Sequence, residues 1–253
     1  MTLRGPYNAV MDHVASASSS PWRIEPVGDR CLLVSFADQV SAAVNRRVLG
    51  FAADLLRDPP DGVIDVVPAF TTVALHYRPE LCATADRPPY EALAAQVQSR
   101  LQRGIPDPDL DTRVVEIPAC YGGQYGPDLD DVAARCGLST DEVIARHCAS
   151  PLVVYTFFFA PGNPFAGGLD PRLAVPRRPT PRTEVPAGSV AIANGMSTIY
   201  QFAMPGGWNL IARTPWNLFD LTQDPPVRLR LGDRLRFLPI SPTEFERLRG
   251  ARP

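Results

Sequence analysis

At 253 residues the chain exceeds the usual single-domain size of roughly 100 to 150 residues, so its length predicts two domains, each with its own core. Hydrophobic residues make up 45% and charged residues 21%, and 28 prolines beside 18 glycines point to a loop-rich β protein rather than a long-helix one. A formal net charge of −2 excludes the general basic excess expected of a nucleic-acid or anionic-membrane binder.

Residues 1–21 carry the run ASASSSP and little periodicity, which predicts a loosely held extension without chemistry. From Trp22 the pattern sharpens. Gly28-Asp29-Arg30 reads as a turn and residues 31–36 (CLLVSF) as a strand. Val44, Val48, Phe51, Leu55 and Leu56 then recur at helical spacing over residues 41–57, and Asp58-Pro59-Pro60 ends that helix. Two strands follow, at 62–67 and 72–77, joined by Pro68-Ala69-Phe70, a connection too short for a helix. Leu93, Ala94, Val97 and Leu101 mark a second helix at 89–102, and residues 113–117 a fourth strand. The order β-α-β-β-α-β predicts a ferredoxin-like α+β domain over residues 22–112, with RGIPDPDLD as the boundary and residues 113–117 either closing this domain or bridging into the next.

Beyond the boundary, a stripe of Leu129, Val132, Ala133 and Cys136 predicts a short helix closed by Gly137. Ser139 and Glu142 form a capping-box pattern opening another helix, which carries His147. Short β runs then alternate with turns (LVVYTFFF, SVAIA, TIYQF, NLIAR and RLGDRLRFLPI), predicting a closed or nearly closed barrel over residues 113–245 and a tail at 246–253. Most of the Gly, Pro and Arg between Tyr155 and Pro215 stand where a core strand would not want them, so this stretch is expected to form turns that wall a site. Arg172, Arg177, Arg178, Arg182 and Arg213 supply guanidinium forks suited to a small carboxylate or phosphate.

Five cysteines, Cys31, Cys82, Cys120, Cys136 and Cys148, show no C-x-x-C pair and no histidine at metal-ligand spacing, which predicts buried thiols and no metal site. An odd cysteine count, no signal peptide and no apolar run near ~18 residues point to a cytoplasmic chain with no membrane span. Of the three histidines, His13 lies in the extension and His76 in a strand. Trp208 and Trp216 flank Arg213 as core residues or stacking surfaces, and Asp233 reads as a turn residue before the last strand. Neither a G-x-x-x-x-G-K-[ST] loop nor a Rossmann glycine fingerprint is present.

The ordered set Gly28-Asp29-Arg30, Pro68-Ala69-Phe70, Tyr121-Gly122-Gly123, Gly126-Pro127-Asp128, His147, Pro161-Gly162, Gly167-Gly168-Leu169, Pro176-Arg177, Pro181-Arg182, Pro205-Gly206-Gly207-Trp208, Arg213-Thr214-Pro215 and Gly232-Asp233 resembles the 5-oxoprolinase B-subunit family, also known as KipI-type or allophanate hydrolase subunit 1-like. The resemblance runs from about Gly28 to Ile240. It implies a cyclophilin-like β-barrel for the second domain and a heteromeric assembly with a homologous KipA-type C subunit and a LamB/YcsF-type A subunit. Such an assembly uses ATP to open the lactam ring of 5-oxoproline, giving glutamate, and the chain alone is expected to be inactive. It also leaves two alternatives: a regulatory module that inhibits a histidine kinase, and a carboxyltransferase component related to urea carboxylase.

On this reading His147 and Arg213 are the expected catalytic residues, and Arg177, Arg182, Gly206, Gly207, Tyr200 and Asn163 the substrate-binding ones. Arginines and backbone N–H groups would stabilise an anionic, phosphorylated lactam, and His147 would serve as acid/base or orient the substrate. The family pattern Gly-Phe-x-Pro-Gly-Phe-Pro-Tyr-Leu-Gly-Gly is altered here at Phe158, Asn163 and Phe165. Its Gln-Thr-Gly-Ile-Tyr is altered from Met196 to Thr198, and Ala212 stands where it has glycine. Losing a hydrogen-bonding side chain from a pocket can change substrate choice by orders of magnitude, so a different substrate is an open expectation.

Overall fold

The computed structural model describes residues 21–84, 86–108 and 113–249; all but the last residue of the expected extension, and the end of the tail, lie outside them. The described chain starts with a hairpin, β1 (Arg23–Pro26) and β2 (Cys31–Ser35), followed by helix α1 (Ala42–Arg57). Ser41 caps α1 by accepting from the Val44 amide. A second hairpin, β3 (Val63–Ala69) and β4 (Thr72–Tyr77), leads through the single turn α2 (Pro79–Cys82) to α3 (Pro89–Gln102). The strands form an antiparallel sheet in the order β1-β2-β4-β3. Alternate residues Leu32, Val34, Val73, Leu75 and Tyr77 share one core with Val48, Phe51 and Leu55 of α1 and Leu93, Val97 and Leu101 of α3.

The edge strand beside β2 is therefore β1, and not residues 113–117. Those residues belong to β5 (Val114–Tyr121), which pairs in parallel with the last strand and antiparallel with a strand of the barrel. The short, exposed sequence RIEP of β1 lacks the apolar alternation of a recognisable strand, and the backbone ladder with β2 holds it.

After β5 come α4 (Leu129–Cys136), closed by Gly137 in the left-handed conformation (φ 62°), and α5 (Thr140–Ala149), opened by the Ser139–Glu142 capping box. The remaining strands are β6 (Leu152–Phe157), β7 (Pro164–Gly167), β8 (Arg182–Val185), β9 (Ser189–Ala193), β10 (Met196–Ile199), β11 (Met204–Gly206), β12 (Asn209–Arg213) and β13 (Arg234–Pro239). A final helix, α6, spans Pro242–Leu248, where no helix was expected. Seven strands close a barrel in the order β10-β7-β6-β13-β5-β12-β9, while β8 and β11 pair separately. Ile117, Leu152, Val154, Ala166, Val190, Ile192, Ile211 and Phe237 fill its core. β7 escapes sequence reading because it starts with proline and ends with glycine. Gly167 is required there because any side chain would enter the ring of Tyr155.

The two sheets meet at Phe70, in the turn between β3 and β4. Its ring makes edge contacts with Phe158 and Phe165 at 6.4 and 6.0 Å, and the Asn45 side chain donates to its carbonyl. Phe70 adopts φ 42°, an uncommon conformation for a residue with a side chain, as does Phe159 at φ 68°. Backbone strain of roughly 1–3 kcal/mol attends each of these two positions, and Phe159 lines a narrow cavity of the barrel. Among the described residues no helix is long and apolar enough to cross a membrane, and all five cysteines are free thiols.

Candidate functional site

Two pockets of the barrel hold most of the expected site residues between them. The first is a narrow cavity of about 50 Å3, walled by Asn163, Phe165, Arg177, Tyr200, Gly206 and Trp208. Residues far apart in sequence meet here because β7, the loop before β8, the end of β10 and the β11–β12 turn converge on one face. Trp208 is buried with its ring edge-on to Phe165 at 5.3 Å, forming an apolar wall. The exposed Arg177 guanidinium stands at the mouth, in no ion pair among the described residues. A side chain on Gly206 would come within 2.5 Å of the Tyr200 hydroxyl, so glycine there leaves that hydroxyl its place. Burial raises the Tyr200 hydroxyl above its ordinary pKa, opposed by the charges of Arg177 and Arg182; the group stays a neutral donor near pH 7. Gly207 lies against Arg177, and its carbonyl accepts from the Arg178 amide at 2.7 Å.

Asn163 reaches this cavity in a supporting role. Its Oδ1 accepts from the Gln201 amide at 2.8 Å and its Nδ2 lies 3.5 Å from the Met204 sulfur. Arg182 is not brought to either pocket. Its fork donates to both carboxylate oxygens of Asp128 at 2.8 Å, Arg178 donates to the same carboxylate at 2.6 Å, and the Leu210 amide adds a fourth bond at 2.7 Å. Asp128 is 3% exposed, and its partners hold α4 and the loops of the arginine stretch onto β12. The sequence marks Asp128 only as the end of Gly126-Pro127-Asp128; nothing local shows which arginines it will claim.

Arg213 lines the second pocket, a more open space of about 270 Å3 with Gln201, Trp216, Asn217 and Arg249 in its wall. Its Nε donates to the Ala187 carbonyl at 2.8 Å. Burial first, and the neighbouring Arg249 charge second, lower its pKa from the ordinary guanidinium value.

His147 is in neither pocket. It is wholly buried in the last turn of α5, its Nδ1 2.7 Å from the Tyr121 hydroxyl and its Nε2 3.0 Å from the Ser197 hydroxyl, with its ring on Phe237. Desolvation pushes the imidazole pKa down to about 3, so the ring is neutral at physiological pH. Each hydroxyl can donate or accept, which satisfies either tautomer. The expected acid/base role has no support from access: the ring is sealed from solvent and lines neither of these pockets, and its bonds pin α5 to the barrel. Cys120 and Cys148 fare similarly as nucleophiles, since burial raises both thiol pKa values and leaves little thiolate. Among the described residues no group of three or more His, Cys, Asp or Glu side chains could hold a metal ion.

Closed barrel, small antiparallel sheet and arginine-lined pockets define the class: residues 22–229 match the family described as carboxyltransferase domain, subdomain C and D. Within that class the chain belongs to the 5-oxoprolinase B-subunit family. Three curated relatives are named as such B subunits, at 33 to 39% identity. The one from Bacillus subtilis (strain 168) is 39% identical over 232 residues, 88% of this chain and 95% of the relative. Among solved structures, that of TTHA0988 is similar with a TM-score of 0.70 and 39% identity, over 84% of this chain; the chain spans 40% of that longer one. Urea amidolyase from K. lactis shares the fold, with a TM-score of 0.71 at 19% identity over 90% of this chain and 15% of the other.

Proposed function

We propose that this chain is the B component of an ATP-dependent 5-oxoprolinase-type assembly that opens a small lactam, 5-oxoproline, to the amino acid, acting with a KipA-type C component and a LamB/YcsF-type A component. The carrying observation is the 39% identity to a 5-oxoprolinase B subunit across 95% of that relative. The chemistry of the pockets supports it. Arg177 and the Tyr200 hydroxyl offer a cation and a neutral donor beside an apolar wall, the pairing that a small polar ring with a developing oxyanion requires.

A lactam amide resists water, and ATP would activate its carbonyl oxygen. The first cavity does not fit the nucleotide: at about 50 Å3 it has no room for one, and the chain carries no G-x-x-x-x-G-K-[ST] loop to cradle its phosphates. ATP is therefore assigned to the assembly, and this chain's own part is to bind, orient and neutralise. Arg177 would hold the developing negative charge, Tyr200 would donate to it, and Phe165 and Trp208 would exclude water.

The test is glutamate release from 5-oxoproline by the three purified components together, with and without ATP. Turnover that requires ATP and all three components supports the proposal. An assembly that forms yet consumes no ATP with 5-oxoproline rejects that substrate, and failure of this chain to join the KipA-type component rejects the subunit role.

A further inference from the structure

The second pocket has the marks of a binding site in its own right. Arg213 is half-buried, its Nε is held by the Ala187 carbonyl, and no carboxylate within ion-pair distance answers its charge among the described residues. Its two terminal nitrogens are left to the pocket. Gln201 forms part of the same wall at 7% exposure; its Oε1 accepts from the Leu218 amide at 2.9 Å, while its Nε2 is buried with no hydrogen-bond partner. A buried amide nitrogen without an acceptor destabilises the fold, a cost that a ligand oxygen would remove. Arg249 also faces the pocket, and its charge is answered by Glu246 at 3.4 Å. The uncompensated charge is therefore that of one arginine.

We infer that this pocket binds a small organic carboxylate, with the carboxylate on the terminal nitrogens of Arg213 and the carboxamide of Gln201 and its apolar body against Trp216 and Phe245. One uncompensated arginine matches a monoanion, and the planar fork matches two carboxylate oxygens. The wall of Trp216, Pro215 and Phe245 favours a compact apolar body over a free hydrated ion. The inference deepens the proposed function and rests on it for the identity of the ligand, since 5-oxoproline is such a carboxylate. The first cavity keeps the part it has in the proposed function, and this pocket adds a carboxylate subsite apart from it. The two are joined through one bond: Asn163, in the first, holds the backbone of Gln201, in the second.

Binding is read by calorimetry on the full chain alone, without ATP or the other components, titrating 5-oxoproline, acetate and inorganic phosphate in turn. The expected result is saturable binding of 5-oxoproline, weaker binding of acetate at the same site, and little of phosphate. Arg213→Ala should weaken 5-oxoproline by roughly 10- to 100-fold, the scale of a lost charged hydrogen-bond pair. Gln201→Glu keeps the acceptor for Leu218 but sets a carboxylate beside Arg213, and should abolish binding with the fold intact by circular dichroism. Arg57→Ala removes an exposed charge on α1, outside both pockets, and should leave affinity within about twofold. Unchanged affinity in Arg213→Ala, absence of carboxylate binding, or preference for phosphate would each overturn the inference. Carboxylate binding by the chain beside a three-component assembly that turns nothing over would reject the proposed function and leave the site standing.

Discussion

Arg178 and Arg182 stand one and five positions beyond Arg177 in a single loop-rich stretch, yet the two groups do opposite things. Arg178 and Arg182 are locked onto Asp128, which is almost sealed from solvent. Arg177 and the more distant Arg213 each line a pocket and form no ion pair among the described residues. The difference lies in one buried carboxylate and not in the arginines. Where an acid is waiting in the core, a guanidinium becomes a staple between loop and helix; where none is, its charge remains available to a ligand.

The strongest way to break this contrast is to remove the acid. Asp128→Ala strands two part-buried cations and a backbone amide, and should cost about 3–5 kcal/mol in chemical denaturation. A loss below about 1 kcal/mol would mean that the staple is a solvated surface pair like any other.

His147 sharpens the same lesson, because it too is a polar group spent on structure. Its folded pKa of about 3 lies below the unfolded value near 6.5, so the unfolded chain takes up the proton first. Stability contributed by the neutral ring is complete above pH 6.5 and falls by about 1.4 kcal/mol per pH unit as the pH drops from there towards 3. His147→Gln should flatten that slope in a series of denaturation midpoints. A slope unchanged in the variant would assign the acid sensitivity to other groups.

Arg177→Ala is the smallest effect on the fold and the complement of the first test. An exposed, unpaired side chain should change stability by no more than about 0.5 kcal/mol, while glutamate release by the assembly should fall by about tenfold or more. Loss of stability without loss of turnover would make Arg177 a staple too.

Elements with local rules were legible. The helix at 89–102, the Ser139 cap, the Gly137 stop and the strands at 72–77, 189–193 and 209–213 follow from periodicity and capping chemistry, and the structure has each of them. β1 and β7 were not legible, because their sequences lack the alternation that marks a strand and their partners alone hold them. Of the site, the sequence singled out Arg177, Tyr200, Gly206 and Asn163, which gather at one cavity. It missed that Arg182 belongs to Asp128, that His147 is sealed, and that Gln201 lies beside Arg213.

By itself the sequence determined the family, the β-rich second half and the presence of more arginine than an ordinary barrel loop needs, since these depend on order and composition along the chain. Only the tertiary structure decided which arginine is neutralised and which is free. That depends on desolvation and on partners up to 82 residues away, such as the Asp128 carboxylate and the Leu210 amide, and neither is encoded in local spacing.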